Sequence, residues 1–146
     1  MPIKTFRGQL ADGESETIRL HTNNGLTGYK ITQFQGISSQ PGVAQEAHVL
    51  KLYSVDTDEV TTPNGTVDFD NPLLLGVVYF TNRDDELHNN ENIIIFDNVT
   101  VNQDIFITHA DIQSNVAGNY YLELEQVKLD VGEAAVATLK DMRGSN

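Results

Sequence analysis

Asn119-Tyr120-Tyr121-Leu122-Glu123-Leu124-Glu125-Gln126-Val127-Lys128-Leu129-Asp130 alternates apolar and polar residues at the two-residue period of a β-strand. A strand of this kind belongs to a sheet with one face on a core and the other toward water. Tyr120, Leu122 and Leu124 share one side. After Glu125-Gln126 the apolar series resumes out of phase at Val127 and Leu129, which predicts a bulge at that point.

Outward from this stretch, turn signals recur at short intervals: Asp12-Gly13, Asn23-Asn24-Gly25, Gln40-Pro41-Gly42, Pro63-Asn64-Gly65, Asn71-Pro72, Asn89-Asn90 and Ala117-Gly118-Asn119. Runs of strand composition lie between them. Ile3 to Leu10 and Glu16 to His21 flank Asp12-Gly13 and read as a first hairpin, because Asp-Gly accepts the positive φ of a tight turn. Thr27 to Ile37 carries Tyr29, Ile31 and Phe34. Ala47 to Val55 is apolar on both faces, as a central strand would be. Leu73 to Phe80 and Ile93 to Phe96 are continuous apolar runs that read as buried strands, and Ile105 to Thr108 adds another. About eight short strands at this spacing predict an all-β fold, a β-sandwich of jelly-roll or Greek-key type. With no repeat and no long linker, 1–146 reads as one domain.

Residues 130–146 differ from the rest. Asp130 and Glu133 have capping-box spacing, and Ala135, Leu139 and Met142 recur at helical intervals, so the expectation is a short helix or an extended arm. Chain ends are tied down only where something holds them, and both termini are expected against the body or a neighbouring subunit.

Composition narrows the function classes. The formal charge is −12, with a pI near 4.4. Such a chain repels phosphate backbones and anionic lipid, which argues against nucleic acid and membrane as partners and leaves basic protein surfaces. Having no cysteine, it has no disulfide, thiolate nucleophile or Cys-based zinc site. Met1-Pro2-Ile3-Lys4-Thr5-Phe6 lacks the apolar stretch of a signal peptide, so the product is expected to be made and kept in a cytosol or released on lysis.

No catalytic pattern stands out. His21, His48, His88 and His109 lie in separate elements without a two-histidine ligand motif, although His48 and His109 can meet across strands of a sandwich. Asp56-Thr57-Asp58-Glu59, Asp68-Phe69-Asp70-Asn71 and Arg83-Asp84-Asp85-Glu86 are acidic loops, but the ligand positions of an EF-hand fall on Thr61, Val67, Pro72 and Leu74. No cofactor is therefore expected, an irregular calcium site being the one exception left open. There is no Trp for sugar stacking and no Gly-x-Ser-x-Gly elbow, and Gly25-Leu26-Thr27-Gly28 lacks the lysine of a phosphate loop. A hydrolase would have to draw its acids from Asp84, Asp85, Glu86 or Glu91. Tyr120-Tyr121 places one ring on each face of its strand, and the outward ring suits a partner interface.

Ile3-Lys4-Thr5-Phe6-Arg7-Gly8, Leu20-His21-Thr22-Asn23-Asn24-Gly25 with Gly28-Tyr29-Lys30-Ile31, Ile94-Ile95-Phe96-Asp97-Asn98, and Tyr121-Leu122-Glu123-Leu124-Glu125-Gln126-Val127-Lys128-Leu129 followed by Ala137-Thr138-Leu139-Lys140-Asp141 resemble small virion structural proteins of marine tailed bacteriophages. The resemblance implies a non-enzymatic virion component, made in the host cytoplasm. Its partners would be other virion proteins such as major capsid or tail proteins, and copies of itself. Capsid decoration or cement is slightly favoured over a tail or baseplate position. Under that reading the contact residues are the outward ones near the chain ends: Phe6, Arg7, Tyr121, Leu139, Met142 and Arg143. The alternative is a jelly-roll module that binds host glycans through loops at 23–28, 56–65 or 83–92.

Overall fold

The computed structural model describes residues 2–41, 45–82, 91–96 and 99–142, and their side chains except those of 82 and 140–142. Two antiparallel sheets face each other. The first runs in the order β1 (Ile3–Leu10), β9 (Gly118–Lys128), β3 (Thr27–Ser38), β7 (Thr100–Val101). The second runs β2 (Ser15–Ile18), β8 (Ile105–Asp111), β4 (Glu46–Tyr53), β5 (Leu74–Asn82), β6 (Glu91–Ile95). The pairings nest as β1 with β9, β2 with β8, β3 with β7 and β4 with β5, and they fall alternately in the two sheets. Nested antiparallel pairs wrapped in this way make a jelly roll. β6 is added outside β5, so nine strands are described where about eight were expected.

The core lies between the sheets. Phe34, Leu122 and Leu124 meet Leu50, Leu52, Val78, Ile105 and Ile107 there. Enclosing each of these leucines is worth about 1.5–3 kcal/mol relative to leaving it in water. β9 alternates buried and half-buried residues from Gly118 to Glu125, as its sequence pattern requires. The bulge is on its partner instead: the register slips between Ile31 and Gln33, and the extra residue, Thr32, donates its hydroxyl to the Glu123 carbonyl at 3.0 Å. A break in apolar phase marks a mismatch between neighbouring strands, not which of them carries the extra residue.

Three other expectations change. β1 and β2 are not a hairpin: they pair with β9 and β8 in opposite sheets. Gly13 does adopt a positive φ of 82°, but the turn carries the chain around the corner of the sandwich. A tight turn fixes local backbone only, while both strands have an apolar face that must reach the core. The strand expected to reach His21 stops at Ile18, where Leu20 and His21 turn their backbone N–H groups onto Asp104 Oδ1 at 2.8 and 3.0 Å. β6 is an edge strand, not a buried one, with Ile93 and Ile94 each 38% exposed. An unbroken apolar run cannot report that one flank lacks a neighbour.

β4 is buried along its whole length, as a central strand should be. Its outward side lies beneath residues 54–73, which include the single turn α1 (Asp58–Thr61). Tyr53, Val60 and Leu74 form a second small core there, and Lys51 donates to the Thr66 carbonyl at 2.6 Å.

Residues 131–142 are a helix, α2 (Val131–Met142), rather than an arm. Its capping box is reciprocal: the Glu133 N–H donates to Asp130 Oδ1 at 2.7 Å, and the Asp130 N–H to Glu133 Oε1 at 3.2 Å. Ala134 and Ala137 face inward, leaving Val131, Val136 and Leu139 exposed. The Ala135–Leu139 series is thus the outer face of the helix. At the other end of the chain, Gln126 N–H donates to the Pro2 carbonyl at 2.9 Å, which holds the segment before β1 against β9.

Candidate functional site

The two outer sheet surfaces are unequal. That of the second sheet is roofed by residues 54–73, with Val49, Lys51, Tyr53, Val77, Thr108 and Ala110 buried. That of the first carries cross-strand rows. Gln9, Asn119 and Ile37 form one; Arg7, Tyr121 and Gln35 the next; Thr5, Glu123 and Gln33 the third. Arg7, Thr5 and Gln9 of β1 are exposed, and Ile37 is 59% exposed. A depression of about 340 Å³ opens on this face, lined by Gln35, Gly36, Ile37, Asn119, Tyr120 and Tyr121, with Glu91 at its side.

Of the residues expected at an interface, the structure brings Arg7 and Tyr121 together on this surface. Phe6 points the other way: it lies opposite Leu122, half-buried against the core, because neighbours along a strand alternate faces. Leu139 is exposed on α2, whose contacts are with β7 at the far edge of the sheet. Arg143 and the Met142 side chain lie outside the described residues, as do His88 and the acids Asp84, Asp85 and Glu86.

A second constellation is buried at one end of the sandwich, where His48 and His109 meet. His48 Nδ1 is 2.8 Å from His109 Nε2, and His109 Nδ1 is 3.0 Å from the Ala11 carbonyl. His48 Nε2 is 2.7 Å from Glu46 Oε1, which also accepts the Ser38 hydroxyl at 2.6 Å. The His48 ring stacks on Phe80 at 4.7 Å. Glu46 and Ser38 were not singled out in the sequence. The signal was there in Glu46-Ala47-His48 and His109-Ala110-Asp111, whose two-residue spacing puts polar pairs on one side of otherwise apolar strands.

Glu46, His48 and Asp111 bring ligand atoms within 4.8 Å of one another. The carboxylates already serve protein donors, however. Asp111 Oδ1 takes the N–H groups of Ala47, Gln113 and Ser114, and Oδ2 that of Val116. Burial alone would raise the Asp111 carboxyl, but these backbone donors outweigh it and hold it below the usual carboxylate range. The aspartate organises the 111–116 turn. Asp58 and Glu59 occupy the first turn of α1, and Asp68 Oδ1 accepts the Asp70 N–H at 2.9 Å, so these acidic loops also have structural work. His21 is paired with Asp104 at 2.7 Å on the surface. Among the described residues no helix is long and apolar enough to cross a membrane.

No protein-family model, curated protein or solved structure matches this chain.

Proposed function

We propose that the protein is a non-enzymatic assembly subunit, a structural component of a tailed-phage virion, which contacts neighbouring virion proteins through the outer surface of β1, β9 and β3. The inequality of the two outer surfaces carries this reading. Among the described residues, 54–73 cover one of them, while the other presents Arg7, Tyr121, Ile37 and Gln35, the mixture of aromatic, arginine, aliphatic and amide groups that protein interfaces use. Jelly rolls recur in viral shells, which is agreement at the level of fold alone. The segments quoted above that resemble small phage virion proteins supply the setting, with capsid decoration slightly favoured over a tail or baseplate position. Particles purified from lysed cells should carry the chain in many copies. Light scattering on the purified chain, with and without calcium, should give a discrete oligomer, or a complex once capsid or tail proteins are added. A stable monomer absent from purified particles would overturn the reading.

A second reading rests on the depression beside Tyr121. An aromatic ring with Gln35, Asn119 and Glu91 around a shallow hollow of about 340 Å³ offers both a stacking surface and hydrogen-bonding groups for a sugar. Of the segments expected to bind glycans, 83–92 contributes Glu91 to this hollow. Binding to a glycan array that disappears in Tyr121→Ala supports this reading, and an array without hits at high protein concentration removes it.

A further inference from the structure

The hydrogen bonds around His48 and His109 determine where their protons are. A carbonyl oxygen only accepts, so His109, 3.0 Å from the Ala11 carbonyl through Nδ1, carries a hydrogen there, and as a neutral ring it presents a lone pair at Nε2. Glu46 Oε1 receives the Ser38 hydroxyl at 2.6 Å and faces His48 Nε2 at 2.7 Å. The Ser38 hydroxyl favours the ionised carboxylate by donating to it, and with Glu46 ionised the hydrogen of this contact lies on His48 Nε2. Were His48 neutral with its one hydrogen on Nε2, its Nδ1 lone pair would face the His109 Nε2 lone pair across 2.8 Å. A hydrogen must occupy that gap. A metal ion does not fit it, since two zinc–nitrogen bonds at a tetrahedral angle hold the nitrogens roughly 3.3 Å apart.

We propose that His48 is a buried imidazolium whose two N–H groups bridge Glu46 and His109, forming a one-proton latch that joins the two sheets and opens when His109 takes up a second proton. Ser38 belongs to β3 of the first sheet, Glu46, His48 and His109 to β4 and β8 of the second, and Ala11 to the corner between β1 and β2. Imidazolium and carboxylate together are neutral, which makes their complete burial tolerable. Of the two rings, only His109 can take up a further proton, at Nε2. There it would set N–H against N–H and put a second cation in the interior. Burial holds His109 below the usual imidazole range, and neighbouring His48 adds to this, against the pull of the Ala11 carbonyl and of Asp12 and Asp111.

The surroundings leave little slack. Gly118 of β9 lies against the His109 ring, Phe80 of β5 against His48, and Asp12 accepts the Asp111 N–H at 2.8 Å. Tyr120, on β9, is committed to Glu16 of β2 at 2.5 Å. Loss of the His48–His109 bond therefore loosens the Ala11–Glu14 corner, which is held to β8 by Gly13 N–H to the His109 carbonyl and His109 N–H to the Glu14 carbonyl.

Nitrogen-15 NMR of the imidazoles in the whole labelled chain tests this directly. At neutral pH the expected spectrum has His48 protonated on both nitrogens and His109 on Nδ1 alone, unchanged by EDTA or added zinc. On acidification His109 should gain its second proton together with faster amide exchange at Gly13 and His109. A neutral His48 at pH 7, a zinc-dependent shift of either ring, or protonation of His109 without local opening would each overturn the latch. In His109→Gln the local acid opening should be lost, and its persistence would count equally against it.

Discussion

Gly118 packs directly on the His109 imidazole: a Cβ built on the glycine would lie 2.6 Å from Nε2 and 3.3 Å from His48 Nδ1. Both histidines are fully buried, and β9 leaves them no space on this side. Gly118→Ala must push either the ring or β9 aside, and overpacking of this kind costs about 1–3 kcal/mol. Chemical denaturation should show that loss, and imidazole NMR should show a disturbed His48–His109 pair. Wild-type stability would mean that the ring has room to move.

Arg7 and Tyr121 are cross-strand neighbours on the open surface. Removing either from the exposed side of a sheet should change stability by less than about 1 kcal/mol. If the surface is an interface, Tyr121→Ala should weaken association by about tenfold or more. Phe6→Ala serves as the control. Packed half-buried against the core, it should lower stability and leave the affinity of the folded fraction unchanged.

Asp104 joins the chain after β2 to the start of β8, accepting N–H bonds from Leu20 and His21 and facing the His21 ring. Partial burial would raise its carboxyl, but the His21 side chain and the two backbone donors prevail and hold it below the usual carboxylate range. For a carboxyl depressed in the fold, the stabilisation is present above the unfolded value near 4 and is lost as pH falls through the lower folded value. His109 acts in the same direction at higher pH. As an imidazole depressed in the fold, it leaves stability intact above about 6.5 and erodes it as pH drops below that, because the unfolded chain takes the proton first. Thermal melts should therefore decline in two stages on acidification. Asp104→Asn should remove the lower stage and His109→Gln the upper.

Asn102 anchors α2 by donating from Nδ2 to the Ala134 carbonyl at 3.2 Å, to Thr138 Oγ1 at 2.8 Å and to the Gly25 carbonyl at 3.1 Å. Asn102→Ala should release the helix, with fast amide exchange over 131–142 and a protected sandwich. Asp130→Ala, which breaks the capping box, should cost about 1 kcal/mol and fray only the first turn.

Some of this architecture is written in short stretches of sequence. The alternation of 119–125, the Asp130–Glu133 box, the positive φ at Gly13 and the two-sided burial of β4 follow from two-residue or helical periods and from backbone sterics, which act among near neighbours in the chain. Arg7 and Tyr121 could be chosen as outward residues for the same reason. That β1 and β2 separate into different sheets, that the bulge is at Thr32 and that β6 is an edge all depend on which strand lies beside which. His48 and His109 are 61 residues apart, and Ala11 and His109 are 98 apart. The strand periods, the helix cap and an acidic, cysteine-free composition are thus legible from short stretches alone. Which outer surface is roofed by residues 54–73, and which polar groups converge on His48 and His109, came from the tertiary fold, because pairing and burial are settled by competition among distant segments for a single core.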